Sequence, residues 1–151
     1  SPLPRDIVEK DSILNLLDDE FIVIACGGGG IPVVKDKEGN YTSVPAVIDK
    51  DFASAKLAEM VDADYLFILT AVDRVAIDYG KPQQRELEKM SVKEARRYAG
   101  EGHFAPGSML PKIQAAVAFA ESKKGRRAII ASLEKAPLAM RGESGTEIYL
   151  N

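Results

Sequence analysis

Cysteine, histidine and excess positive charge are all scarce in this sequence, and each shortage removes a class of function. A single cysteine, Cys26, excludes an intramolecular disulfide framework and fits a reducing compartment, so a cytoplasmic setting is expected. The only histidine, His103, lies in a glycine-rich loop without the neighbours that a zinc site or a catalytic triad needs, and reads as structural or solvent-facing. A net charge of -3 and a pI near 5.3 leave no broad basic field for a nucleic-acid backbone, although a local cationic site for a small anion is compatible with both. No apolar run approaches the ~18 residues of a membrane span, and the first residues form neither a charged n-region nor an h-region. Neither nucleic acid nor membrane is an expected partner.

The composition that is present, 46% hydrophobic and 28% charged over 151 residues, is that of an ordinary folded chain, and the length predicts one domain. The opening Ser1-Pro2-Leu3-Pro4 suits an interdomain linker or a processed end, so the chain is expected to be a piece of something longer. Ile7, Val8, Ile13, Leu14, Leu16 and Leu17 recur at helical spacing, and Phe21-Ile22-Val23-Ile24-Ala25-Cys26 predicts a buried strand. The strand would end in four glycines, followed by a hairpin or flap across the polar turn at 35–40. A helix is expected from Asp51, with a stripe at Ala53, Leu57, Met60 and Val61, and then an apolar strand over Tyr65 to Thr70. Ser91-Val92-Lys93-Glu94 has the form of a capping box and places a short helix over 92–99. Ser108 is a candidate cap for a longer helix that runs to about Gly125, and strands at 127–131 and 145–150 complete the order. The charged segment 83–93 reads as solvated surface. Alternating helices and apolar strands predict a three-layer α/β/α sandwich with a mainly parallel sheet and a small hairpin flap, because parallel pairing needs crossovers.

Ligands of open α/β sheets bind beyond the carboxyl ends of the strands, which singles out four places. Gly27 to Gly30 can bring several backbone N–H groups close to an anion, or can simply make a tight turn. This run is not a Walker A sequence, since no Gly-Lys-Ser/Thr follows, nor a GxGxxG loop entering a helix. Asp49 and Asp51 suit the positive end of a helix dipole as caps, whereas Lys50 between them faces the unfavourable end. Lys112, in Gly107-Ser108-Met109-Leu110-Pro111-Lys112, repeats that misplacement in the first turn of the later helix. Two such lysines, steered by Asp51 and joined by glycine amides, would together make a phosphate site; as isolated side chains they are solvated surface charges. Thr70-Ala71-Val72-Asp73 could border a nucleotide at the strand end, or be an ordinary loop into a helix. Cys26, Ser54 and Thr70 have no evident activating base in sequence.

The segments Gly27-Gly28-Gly29-Gly30-Ile31-Pro32-Val33, Ala46-Val47-Ile48-Asp49-Lys50-Asp51-Phe52-Ala53-Ser54-Ala55, Ile68-Leu69-Thr70-Ala71-Val72 and Gly102-His103-Phe104-Ala105-Pro106-Gly107-Ser108-Met109-Leu110-Pro111-Lys112 together resemble carbamate kinases, members of the amino-acid kinase fold family. They occur in that family's order and span almost the whole chain. The resemblance implies reversible phosphoryl transfer between ATP and carbamate, giving ADP and carbamoyl phosphate, with Mg²⁺ carried by the nucleotide. It implies Lys50 and Lys112 as phosphate-stabilising cations and Asp51 as their organiser. Gly27, Gly28, Thr70, Ala71, Val72, Ser108, Met109 and Pro111 would lie near the nucleotide. It also places this chain as the C-terminal, nucleotide-binding half of such an enzyme, lacking the N-terminal half that supplies most of the carbamate site, and suggests a homodimer of the complete enzyme. Another family member with a different carboxylate acceptor shares the nucleotide site, and a non-catalytic nucleotide-sensing module would reuse the fold without needing the lysines.

Overall fold

A computed structural model describes all 151 residues, and the chain separates into two compact units, Ser1–Val61 and Asp62–Asn151. Within the first unit, α1 (Lys10–Asp18) buries Ile13 and leaves Leu16 and Leu17 exposed. The hairpin β1 (Val33–Lys35) and β2 (Tyr41–Ser43) is antiparallel. Asp36 closes its turn by accepting from the Asn40 backbone N–H at 2.8 Å and the Asn40 side chain at 3.1 Å. Helix α2 (Lys50–Met60) follows and buries Asp51, Ala53, Ala55 and Ala58.

The expected strand at Phe21–Cys26 does not form. A strand exists only as one member of a ladder, and this segment is bonded to no neighbouring strand. Its side chains still alternate as an extended chain dictates, with Val23 and Ala25 partly covered while Ile22 and Ile24 are each 97% exposed.

The second unit is organised around a four-stranded sheet. Its elements run β3 (Tyr65–Thr70), β4 (Val75–Ile77), β5 (Arg85–Leu87), β6 (Lys89–Ser91), α3 (Val92–Gly100), α4 (Met109–Ser122), β7 (Arg127–Ser132), a 3-10 turn at Leu133–Lys135, α5 (Ala136–Met140) and β8 (Thr146–Tyr149). The sheet order is β3-β7-β8-β6. β3 pairs parallel to β7 and β6 parallel to β8, so the one antiparallel contact is β7 with β8. The sheet is mainly parallel, as expected.

Residues alternate across each strand, so β7 serves two layers. Ile129 and Ala131 meet Ala139 of α5 and Phe67 of β3 on one face. Ala128 and Ile130 point the other way and are fully buried, like Phe119, Ala116 and Ala120 of α4. Helix α4 packs on β7, β8 and β3, and α3 on β6 and α4.

In segment 83–93 the charged side chains are solvated as expected, while the backbone also supplies β5 and β6, with Met90 only 1% exposed. The loop after Thr70 leads into the β4–β5 hairpin rather than into a helix. Thr146 ties that hairpin to the sheet. Its buried Oγ1 accepts from the Val75 N–H at 2.8 Å and donates to the Leu87 carbonyl. No helix is long and apolar enough to cross a membrane.

Candidate functional site

The glycine run and the start of α2 come together within residues 1–61. Gly29 has φ +129°, and a Cβ there would lie 2.0 Å from the Ile48 carbonyl oxygen, so only glycine allows this approach. Cys26, at φ 64°, places its Sγ 3.7 Å from the Ala53 carbonyl. Burial, helped by Glu9, pushes that thiol's pKa up, away from nucleophilic chemistry. Gly27 and Gly30 also have positive φ, at 45° and 84°. Gly27 and Gly29 donate to the Ala25 and Cys26 carbonyls within the loop, so those two amides already hold it in shape.

Asp49 is the cap of α2: its carboxylate accepts from the Asp51 N–H at 2.8 Å. Of the two flanking acids, Asp49 is thus the one that caps the helix. The Asp51 carboxylate is buried, and the Lys50 ammonium, more than half exposed, lies 3.7 Å from it. A cation and a carboxylate at the first turn of one helix, beside a glycine loop, can hold an anion between ammonium and backbone N–H groups.

Within residues 62–151 the other predicted residues fall on two segments. Thr70, Ala71 and Val72 leave the carboxyl end of β3, with Ala71 exposed and its neighbours half-buried. Ser108, Met109, Pro111 and Lys112 form the entry to α4. Ser108 occupies the cap position with φ -143° and ψ -73°, yet its side chain makes no capping bond, contrary to the expectation that it would. The helix entry is set instead by Ser108 and Leu110 N–H groups donating to the Ala105 carbonyl, at 3.2 and 3.0 Å. Lys112 is half-buried and engaged with a partner rather than free.

A cavity of about 280 Å³ opens immediately after the Thr70–Val72 segment and is lined by Asp73, Arg74, Glu86, Lys135, Leu138, Glu143 and Ser144. Sequence reasoning stopped at Asp73 and missed the rest, because β5, α5 and the 143–144 turn reach it only through tertiary folding. Its cations are already matched: Lys135 pairs with Asp73, whose pKa it lowers by hydrogen bonding, and Arg74 lies 3.0 Å from Glu88. No group of three or more His, Cys, Asp or Glu side chains is placed to hold a metal.

Residues 1–132 match the amino acid kinase family. The chain is 58% identical over 148 residues to a carbamate kinase of Clostridium perfringens, covering 98% of this chain and 47% of that protein. It is 51% identical over 150 residues to carbamate kinase 2 of Staphylococcus aureus, covering 99% and 48%. The structure of Giardia lamblia carbamate kinase bound to AMP-PNP superposes with a TM-score of 0.95 at 42% identity, over 100% of this chain and 47% of that one. The chain thus spans about half the length of these relatives. The family match runs from residue 1 of this chain to residue 132 and gives no support to the expected C-terminal placement. The coarser statement, about half of a carbamate-kinase length, is what stands.

Proposed function

Because this chain belongs to the amino acid kinase family, we propose that it supplies the nucleotide-binding, phosphate-stabilising part of a carbamate kinase. The reaction is reversible transfer of the γ-phosphoryl group between ATP and carbamate, giving ADP and carbamoyl phosphate. The observation that carries this reading is the close approach of Gly29 to Ile48, which sets a glycine loop beside the α2 terminus where Lys50 and buried Asp51 stand 3.7 Å apart.

Phosphoryl transfer asks little covalent chemistry of a protein. It needs the donor and acceptor held in line, and it needs charge spreading over the phosphoryl oxygens to be neutralised. In this reading Lys50 and Lys112 supply the neutralising charge, and Asp51, 3.7 Å from the Lys50 ammonium, orients that cation without touching the transferred group. Gly27, whose N–H is committed to the Ala25 carbonyl, shapes the loop, and the Gly28 N–H adds a dipole that costs nothing to reorient. Thr70, Ala71, Val72, Ser108, Met109 and Pro111 border the nucleotide. Mg²⁺ would be held by the nucleotide phosphates, where it would offset part of their charge. Residues 1–151 are then the nucleotide-binding part of the enzyme. The remaining half of the enzyme brings the carbamate-binding groups, in a cytoplasmic homodimer.

Titrating the chain calorimetrically with MgADP and MgATP, alongside a coupled carbamoyl phosphate assay, tests the reading. Nucleotide binding with little turnover is expected, since the acceptor groups lie elsewhere. Absence of nucleotide binding would overturn the lobe assignment, and robust turnover would overturn the half-enzyme assignment.

A further inference from the structure

The only histidine of the chain is held on both ring nitrogens. His103 Nδ1 accepts the Asp78 backbone N–H at 3.3 Å, and Nε2 lies 3.2 Å from the Glu101 carboxylate. An acceptor at Nδ1 requires the proton on Nε2, so one tautomer of the neutral ring satisfies both contacts. The ring packs edge-on against Tyr98 at 5.5 Å, and its own backbone N–H donates to the Tyr98 carbonyl at 3.1 Å. With its side chain 18% exposed, His103 is neither a solvated surface group nor a loose one.

The two strands of chain that it joins matter more than the contacts themselves. Asp78, at φ 53°, begins the turn of the β4–β5 hairpin, and β4 starts three residues after Val72. On the other side, His103 stands in the loop from α3 to α4, five residues before Ser108. The α4 entry has no side-chain cap and is held by bonds to the Ala105 carbonyl inside the loop, so what ties this loop to the rest of the unit bears on where Ser108–Lys112 sit. Phe104, 3% exposed, gives an apolar anchor, and the His103 ring gives the directional one.

We propose that His103 is a positioning residue for the nucleotide, stapling the segment that leaves Thr70–Val72 to the loop that delivers Ser108–Lys112. The inference rests on the nucleotide reading of those two segments. His103 touches neither nucleotide nor phosphoryl group; it fixes the spacing of the two segments that do.

Three variants of the full chain, His103→Ala, His103→Asn and His103→Gln, separate this role from simple packing. Asn puts an amide oxygen where Nδ1 stands and can accept from the Asp78 N–H; Gln reaches the Nε2 position and cannot. Hydrogen exchange at the Asp78 amide and across 104–110 reads the staple directly, and MgADP titration reads its consequence, with thermal melting followed in parallel. Ala and Gln should speed exchange at both places and weaken MgADP binding roughly three- to tenfold, the worth of one ordinary hydrogen bond. Asn should restore both, including where its melting temperature stays as low as that of Ala. Equal nucleotide affinity in all four proteins, or affinity that follows melting temperature without rescue by Asn, overturns the proposal. If the unaltered chain fails to bind MgADP, the nucleotide reading falls and the positioning role falls with it. Unchanged exchange at Asp78 in His103→Ala removes the staple whatever the nucleotide does.

Discussion

Two apolar runs of similar composition end in opposite environments. Ala128-Ile129-Ile130-Ala131 lies in β7, flanked by β3 and β8, and none of its four residues is more than 7% exposed. Phe21-Ile22-Val23-Ile24 has no ladder neighbour, and Ile22 and Ile24 are 97% exposed. Apolar content makes burial favourable in both, but only a partner on the hydrogen-bonding edge makes it possible. Residues 62–151 hold a four-stranded sheet whose strand β7 is buried on both faces, whereas residues 1–61 hold helices, a hairpin and an apolar segment that joins no sheet.

The sharpest way to break the contrast is to truncate one isoleucine in each run. Ile130→Ala should cost roughly 2–5 kcal/mol in urea unfolding, since it removes transfer energy and leaves a cavity. Ile22→Ala should stay within about 0.5 kcal/mol, as at any exposed site. Similar losses at the two positions would mean that segment 21–26 is packed after all. Next in size, Gly29→Ala should cost on the order of 1–3 kcal/mol, because it is strained at φ +129° and would collide with Ile48. Gly28→Ala, with nothing within 4 Å of its Cβ, should be nearly silent in the same melts.

A smaller effect belongs to α3. Ser91 and Glu94 form a reciprocal capping box, with Glu94 N–H donating to Ser91 Oγ and Ser91 N–H to the Glu94 carboxylate. Ser91→Ala should cost about 1 kcal/mol. Smaller still is its acid dependence. The Ser91 backbone N–H, then its hydroxyl, hold the Glu94 pKa below the ordinary carboxylate value. The folded state therefore binds that proton less readily than the unfolded state. The stabilisation is complete above the ordinary value and fades as pH falls through the lowered one. Melts of Glu94→Gln across the acid range should lack that component; an unchanged acid limb would remove the box as its source.

This capping box was legible in sequence because it is local, with both partners within three residues. So were α2, α4, the hairpin flap and the β3 and β7 strands, whose patterns are long enough for periodicity to speak. β5 and β6 were not, since three residues each carry too little period, and Met90 is surrounded by charged neighbours. The absence of a strand at 21–26 was illegible for the converse reason: a continuous β-rich apolar run reports a strand's preference and not whether a partner exists. At the candidate site, Lys50 and Lys112 stood out as cations at the wrong end of a helix dipole. The approach of Gly29 to Ile48, and the His103 bond to the Asp78 amide 25 residues away, are tertiary facts with no local signature.

The central proposal is that Asp51 and Lys112 both serve the phosphoryl-transfer step. A double-mutant cycle on kcat, with Asp51→Asn and Lys112→Ala made singly and together in the complete enzyme, tests it most directly. Lys112→Ala should lower kcat by roughly 10²–10³, the loss of one preorganised charge-stabilising group. Asp51→Asn should also lower it, with circular dichroism unchanged. The double variant should fall short of the product of the two losses by well over a factor of two, since residues of one network couple by about 0.5–3 kcal/mol. Strictly multiplicative losses, or near-normal kcat in Lys112→Ala, would contradict the account.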